Sequence, residues 1–241
     1  MKLFAIFIGG FFAVQGFGGE AAPARVPVLV ELFTSEGCSS CPPADRLLAK
    51  LDREQPVEGA EIIVLSEHVD YWNQLGWKDP FSSAQYTARQ RDYAAALEGD
   101  VYTPEMVVDG VKGFVGSDEA DARRAIREAA KAQKIPIRIE SKRDGDKTSI
   151  SIKIQSIPEG TLYLALAHDS AKSQVLRGEN GGRALSHVAV VYSLQKLAKP
   201  DRTAAGYERE VLVKCEPGAR VVAFVAKGGV GKVVAAGQGR L

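Results

Sequence analysis

The chain has 241 residues, with 31 basic and 30 acidic side chains and a formal charge of +1. So even a balance gives no electrostatic case for a nucleic-acid partner. The length is enough for one large domain or two small ones, and the three cysteines leave one over if two of them pair.

Met1 to Ala24 reads as a secretory signal peptide: one basic residue, Lys2, then an apolar run from Leu3 to Val14, then glycines and the small residues Ala21, Ala22 and Ala24. The apolar run falls short of the ~20 residues that span a bilayer, and no later segment reaches that length. Cleavage falls between Gly16 and Ala24, leaving no stable membrane span and a periplasmic or secreted protein. Removal takes away Lys2 and Glu20, so the charge stays at +1.

Val26 to Thr34 is β-branched and apolar, a strand, and Cys38-Ser39-Ser40-Cys41 follows it directly. Two thiols this close form a loop too small to restrain the unfolded chain much, so the pair reads as reactive rather than structural. Pro42 and Pro43 suit a first helical turn, and Ala44, Leu47, Leu48 and Leu51 recur at helical spacing. Glu61 to Ser66 reads as a buried strand, and the segment from His68 to Pro80 after it holds both tryptophans, Trp72 and Trp77.

Ser83 to Leu97 has helical spacing along Tyr86, Gln90, Tyr93 and Leu97. Thr103-Pro104 leads into a strand from Glu105 to Val108, Asp109-Gly110 signals a hairpin, and Val111 to Val115 returns. Ser117 caps a helix expected to run to about Lys134, with Asp118 and Glu119 at its positive end.

After Pro136 the texture changes to short alternating strands around turns, expected at 137–140, 149–154, 162–167, 186–192, 207–214, 221–226 and 232–236. The pattern suggests a sandwich or small barrel. Cys215, in the strand-like run from Glu210, reads as a buried small hydrophobe or as a resolving thiol. Lys227-Gly228-Gly229-Val230-Gly231-Lys232 resembles the phosphate-binding lysine motif of partitioning ATPases, but residue 233 is Val and only nine residues follow Lys232. A glycine hairpin is the better reading.

The β-α-β-α-β-β-α order, with Cys-x-x-Cys at the first strand-to-helix junction and Thr103-Pro104 before the third strand, resembles the thioredoxin fold. The blocks Glu31 to Asp45, His68 to Trp72, Gly76 to Phe81, Tyr102 to Gly110 and Gly178 to Asn180 are similar to a family of secreted bacterial thioredoxin-like proteins catalogued as a domain of unknown function. The resemblance covers nearly the whole mature chain. It implies an α/β fold class, a thioredoxin-like domain over 25–135 followed by a small all-β, sandwich-like domain over 136–241. It implies no substrate.

Within that resemblance Cys38 is the exposed attacking thiol, activated at a helix N-terminus, and Cys41 resolves the mixed disulfide. Pro104 in a cis bond turns the Thr103 backbone toward the cysteines. His68, Trp72 and Trp77 follow the second strand and either line the cysteine cleft as substrate contacts or satisfy local backbone groups and cover a sheet edge. Gly178 to Arg183, with His187, reads as a structural loop, with a substrate or metal contact as the alternative.

The function expected is an exported thiol-disulfide oxidoreductase acting on a protein or small thiol substrate, with no cofactor and no resident metal. One alternative is a Cu(I)-binding protein or metallochaperone using Cys38, Cys41 and His68, because soft thiolates select Cu(I). Another is a binding module with an inert disulfide. Zinc is disfavoured, since the second Cys-x-x-Cys of a four-thiolate site is absent.

Overall fold

The computed structural model describes residues 25–156, 158–199 and 201–241; the leader expected over 1–24 lies outside the described residues. β1 (Val26–Thr34) and β2 (Ala60–His68) are near-continuous apolar runs, and they pair in parallel with Val26 opposite Ala60 and Thr34 opposite His68. Side chains of such strands are covered on both faces. Even-numbered residues of β1 and β2 face a core shared with α1 (Pro42–Glu54) and α3 (Glu119–Ala129); Leu29, Ile63 and Leu65 face a second core with Tyr86 of α2 (Ala84–Ala96).

Local chemistry sets the helix starts. Cys41 occupies the N-cap of α1 with prolines in its first turn, and Ser83 Oγ accepts the Gln85 N–H at the start of α2. The cap of α3 is Asp118 rather than Ser117, through its carboxylate and the Asp121 N–H. That helix also stops at Ala129, short of Lys134, because the chain turns so that the Lys134 ammonium reaches the Asp109 carboxylate and the Pro27 carbonyl. β3 (Glu105–Val108) and β4 (Lys112–Val115) form a hairpin in which the Val111 N–H bonds the Val108 carbonyl, and Asp109 and Gly110 at the centre of that turn both take positive φ, as its mirror-image type requires.

Eight strands follow: β5 (Ile135–Asp144), β6 (Lys147–Ile154), β7 (Thr161–Gln174), β8 (Ala184–Leu197), β9 (Asp201–Thr203), β10 (Gly206–Val213), β11 (Arg220–Ala226) and β12 (Val233–Arg240). Lys227 to Lys232 is the hairpin joining β11 to β12, closed by the Lys227 N–H to the Lys232 carbonyl.

The expected fold class, a thioredoxin-like α/β domain followed by a separate sandwich-like domain, is corrected. The described strands form one twelve-stranded mixed sheet in the order β4-β3-β1-β2-β8-β7-β11-β12-β5-β6-β10-β9, with three short helices among the described residues. The architecture is therefore closer to all-β. β2 continues into the second half of the chain through a parallel pairing with β8 at Ser66 and Val190. The sheet also curls, so Leu29, Ile63 and Leu65 share their core with Tyr163, Val222 and Phe224, and the Val233 N–H bonds the Asp109 carbonyl. A third core lies between the other face of β7 and β11 and the strands β5, β6 and β10. Two halves that share an apolar core and a sheet are one architecture.

β7 and β8 are each 14 residues long, beyond the lengths their apolar pattern predicts. β11 pairs β7 only as far as Ala167, whereas β7 and β8 pair with each other out to Gln174 and Ala184. Their distal halves thus form a two-stranded arm projecting beyond the rest of the ladder.

The curled core encloses a charge cluster. Arg89 of α2 donates to the Glu31 carboxylate at 2.7 Å, lies over the rings of Tyr93, Tyr163 and Phe224, and has Glu67 at 3.6 Å. Burial, followed by the neighbouring Glu31 charge, lifts the Glu67 pKa well above its ordinary value. Arg89→Met leaves Glu31 buried without its counter-charge, and urea unfolding should show a loss of about 3–5 kcal/mol, partly recovered by adding Glu31→Gln.

Candidate functional site

β1 ends at Thr34, and the turn from Ser35 to Cys41 carries the chain into α1. Cys38 and Cys41 are joined as a disulfide with Cα atoms 5.4 Å apart, and both residues are fully buried. Ser39 and Ser40 between them are exposed, with Ser40 Oγ 3.4 Å from Cys38 Sγ. The Ala44 and Asp45 N–H groups bond the Cys41 carbonyl, so the second sulfur belongs to the first turn of α1.

Pro104 follows a cis bond from Thr103. The Gly116 N–H bonds the Pro104 carbonyl, and a Cβ on Gly116 would lie 3.2 Å from both the Pro104 and Ala44 Cβ atoms, which places this loop beside the start of α1. Trp72 connects the loops: its Nε1–H donates to Thr103 Oγ1 at 2.7 Å, and its Cβ lies 3.0 Å from where a Cβ on Gly37 would stand. Trp77 Nε1–H donates to Glu36 Oε2 at 2.8 Å. Of the residues singled out by sequence, Cys38, Cys41, Thr103, Pro104, Trp72 and Trp77 therefore gather around one turn. His68 lies deeper, fully buried, with Nδ1 2.7 Å from Asp79 Oδ2.

Sequence reasoning passed over the centre of this arrangement, Glu36. Its carboxylate accepts from Trp77 and from Ser173 Oγ of β7, its N–H donates to Asp79 Oδ2 at 2.8 Å, and its carbonyl accepts from Asn180 Nδ2 at 2.9 Å. The same Asn180 amide donates to the Cys38 carbonyl at 2.9 Å, and Glu179 Oε2 accepts the Ser39 N–H at 3.0 Å. The Gly178 to Arg183 loop, expected to be structural, is thus clamped directly on the cysteine turn by the β7–β8 arm. Gly178 has φ +79°, and a Cβ there would lie 3.1 Å from Trp77 Cβ, so both the turn and the close approach suit glycine.

His187 of β8 is sandwiched between carboxylates, with Nε2 3.4 Å from Glu36 Oε1 and Nδ1 3.6 Å from Asp45 Oδ1. These are ion-pair contacts, and neither ring nitrogen has a hydrogen-bond partner among the described residues. Burial alone would disfavour the imidazolium, yet Asp45 and Glu36 hold its proton and push the pKa up to about 10. The His68 ring packs edge-on at 4.7 Å, leaving its Nε2 unpartnered. Burial would raise the Asp79 carboxyl, but the His68 ring and the Glu36 and Phe81 N–H groups together hold it below its usual range. Asp45 also accepts from Thr34 Oγ1 at 3.0 Å.

The sequence signals for this buried layer were His68, the Glu31 to Asp45 and Gly76 to Phe81 blocks, and the Gly178 to Arg183 block with His187. Among the described residues no three His, Cys, Asp or Glu side chains are disposed to hold a metal ion, and His68 Nδ1 is committed to Asp79. No helix of the described residues is long and apolar enough to cross a membrane. Chemically the arrangement offers one reducible bond, a helix start beneath it, and a buried, proton-holding layer behind it.

A crystal structure of a structural-genomics target protein from Agrobacterium tumefaciens is 28% identical, with a TM-score of 0.67 over 90% of this chain and 95% of that one. A superoxide reductase from Nanoarchaeum equitans covers 45% of this chain and 93% of its own at 13% identity, and a hypothetical protein from Pyrococcus horikoshii covers 46% and 90% at 12%. Their TM-scores of 0.24 and 0.26 are too low to carry any shared property. No curated protein matches the chain. A family model described as a protein of unknown function, DUF1223, matches residues 29–226, and the chain belongs to that family.

Proposed function

We propose that this protein is an exported thiol-disulfide oxidoreductase whose reactive bond is Cys38–Cys41. The observation that carries the reading is the disulfide at the first turn of α1, bordered by the Thr103-Pro104 loop and Trp72. Export rests on the leader-like first 24 residues.

In the reductive half-reaction a substrate thiolate attacks Cys38 Sγ. The new mixed disulfide forms as the Cys38–Cys41 bond breaks, and Cys41 leaves with the electron pair as a thiolate. A second substrate thiolate then attacks the substrate's own sulfur in the mixed disulfide and releases Cys38. Two substrate thiols are oxidised, the pair is reduced, and their two protons pass to the cysteines or to solvent. The reverse sequence oxidises the pair, so one site serves either direction.

Full burial of both sulfurs favours a second reading, an inert disulfide that pins a binding surface. Equilibration with glutathione buffers separates the two. Exchange predicts reversible interconversion of the Cys38–Cys41 disulfide and dithiol by mass spectrometry, abolished in Cys38→Ser; a bond that stays oxidised across the whole buffer range rejects exchange.

The clamp adds a kinetic expectation. Asn180→Ala leaves the Glu36 and Cys38 carbonyls without their donor, which should cost about 1–3 kcal/mol in urea unfolding and make dithiothreitol reduce the disulfide several-fold faster. An unchanged reduction rate would show that Asn180 does not gate the bond.

His187 links the site to pH. Its pKa rises from an ordinary 6.5 to about 10 on folding, so the stabilisation is fully present below pH 6.5 and is lost as pH rises through 10. The stability difference between wild type and His187→Gln should therefore shrink by a few kcal/mol between pH 6.5 and 10, on the order set by that shift. Parallel stability curves over that window would contradict the ion-pair assignment.

A further inference from the structure

Among the described residues most large hydrophobic side chains are buried, and only seven are substantially exposed. Four of the seven, Leu75, Val101, Val115 and Leu176, sit on segments that border the disulfide. Leu75 lies in the turn between Trp72 and Trp77, its N–H bonded to the Trp72 carbonyl, and Trp72 abuts Gly37 beside Cys38. Leu176 lies on the loop at the end of the β7–β8 arm. The two turns touch, since a Cβ on Gly178 would stand 3.6 Å from the Leu75 carbonyl oxygen. Val101 precedes Thr103-Pro104 by two residues, and Val115 precedes Gly116, which packs on Pro104 and Ala44. Leu75 and Leu176 are 58% and 69% exposed, too much for side chains placed to fill a core.

We propose that this apolar rim is the docking surface for a non-native polypeptide segment carrying two cysteine thiols among apolar side chains. The inference rests on the exchange reading above, and the disulfide itself specifies the occupant: the partner must present thiols while covering leucines on either side of them. A small hydrophilic thiol has nothing to lay on those side chains, and a folded protein keeps its own apolar residues inside. An extended, unfolded segment satisfies both demands. Covering two leucines already more than half exposed is worth roughly tenfold or more in association.

The rim is also coupled to the clamp. Leu176 is three residues before Glu179 and four before Asn180, the side chains that hold the Ser39 N–H and the Glu36 and Cys38 carbonyls. A segment seated on Leu176 therefore bears on the loop that covers the disulfide. The exchange that follows is the balanced one already given, with the polypeptide's two thiols oxidised to a disulfide and Cys38 and Cys41 reduced.

The test uses the full, oxidised protein and follows loss of the Cys38–Cys41 disulfide by quenched mass spectrometry with two reductants. One is dithiothreitol and the other a reduced, unfolded polypeptide with two cysteines and flanking leucines. Leu75→Ser/Leu176→Ser should lower the second-order rate constant with the polypeptide about tenfold and leave that with dithiothreitol within twofold. Leu176→Ser alone should give an intermediate loss with the polypeptide. Leu212→Ser, at an equally exposed leucine on β10, should change neither rate. Equal effects on both reductants, or no effect of the double substitution, overturn the docking surface. A wild-type disulfide that dithiothreitol does not reduce overturns the exchange reading, and the docking surface with it.

Discussion

Burial of the Glu36 carboxylate is the constraint on which the rest of the site depends. A carboxylate with no solvent access must be met by donors or counter-charge, and here they come from separate stretches of chain: Trp77, Ser173 and His187, with Asn180 on the backbone carbonyl and Asp79 on the N–H. The Ser173 and Asn180 bonds close separations of 137 and 144 residues. Withdraw the β7–β8 arm and Glu36 keeps Trp77 but loses every partner from the second half of the chain. The cysteine turn is therefore shaped as much by β7 and β8 as by the strand and helix that flank it in sequence.

β1 and β2 bury carboxyl groups on the face away from α1. Glu31 and Glu67 alternate with the residues that face α1, so they point into the curled core, where Arg89 lies against Tyr93, Tyr163 and Phe224. Tyr163 and Phe224 belong to β7 and β11, so Arg89 ties the two halves of the chain on this face as Glu36 does on the other. Buried ion pairs contribute little net stability relative to apolar packing, but they penalise any arrangement that separates the partners. β7 and β11 contribute the Tyr163 and Phe224 rings that cover Arg89, so the curl over β1 and β2 is what shields the pair.

Local signals made the first half of the chain legible. The apolar runs of β1 and β2, the prolines after Cys41, the Ser83 cap and the Asp109-Gly110 turn each act within a few residues. The gathering of Cys38, Cys41, Trp72, Trp77 and the Thr103-Pro104 loop could be anticipated because the cysteines follow β1, the tryptophans follow β2 and Thr103-Pro104 leads into β3, which runs antiparallel to β1, so all lie at one end of these strands. The fold class could not. Whether β2 is an edge or an interior strand depends on its pairing at Ser66 with Val190, and neither residue carries any mark of it. The outer part of β7 was missed for a related reason. His168 to Gln174 is mostly polar or small and has no fully buried residue, because β11 stops pairing at Ala167 and only β8 runs alongside beyond it. Asp45, Asp79 and His187 lie in blocks the sequence singled out, but their spacing of 34 and 108 residues carries no sign that the fold buries them in one layer.

Under the proposed exchange, burial of the disulfide and attack on it are reconciled by the unequal strength of the ties that close the turn. The Ser39 N–H bond to Glu179 is exposed, so water replaces it at little cost, whereas the two Asn180 bonds are buried. At about 1 kcal/mol net for each hydrogen bond, releasing the two Asn180 bonds costs roughly 2 kcal/mol, which corresponds to an open form populated at about a few per cent. Openings of that size belong to the low-stability end of a folded protein and recur far more often than global unfolding. The rate of exchange is then set by how often the arm loop lifts as well as by the thiolate that arrives. A partner that grips Leu176 raises the frequency of that opening while it supplies the thiol, so selectivity follows from the cover over the bond rather than from the bond itself.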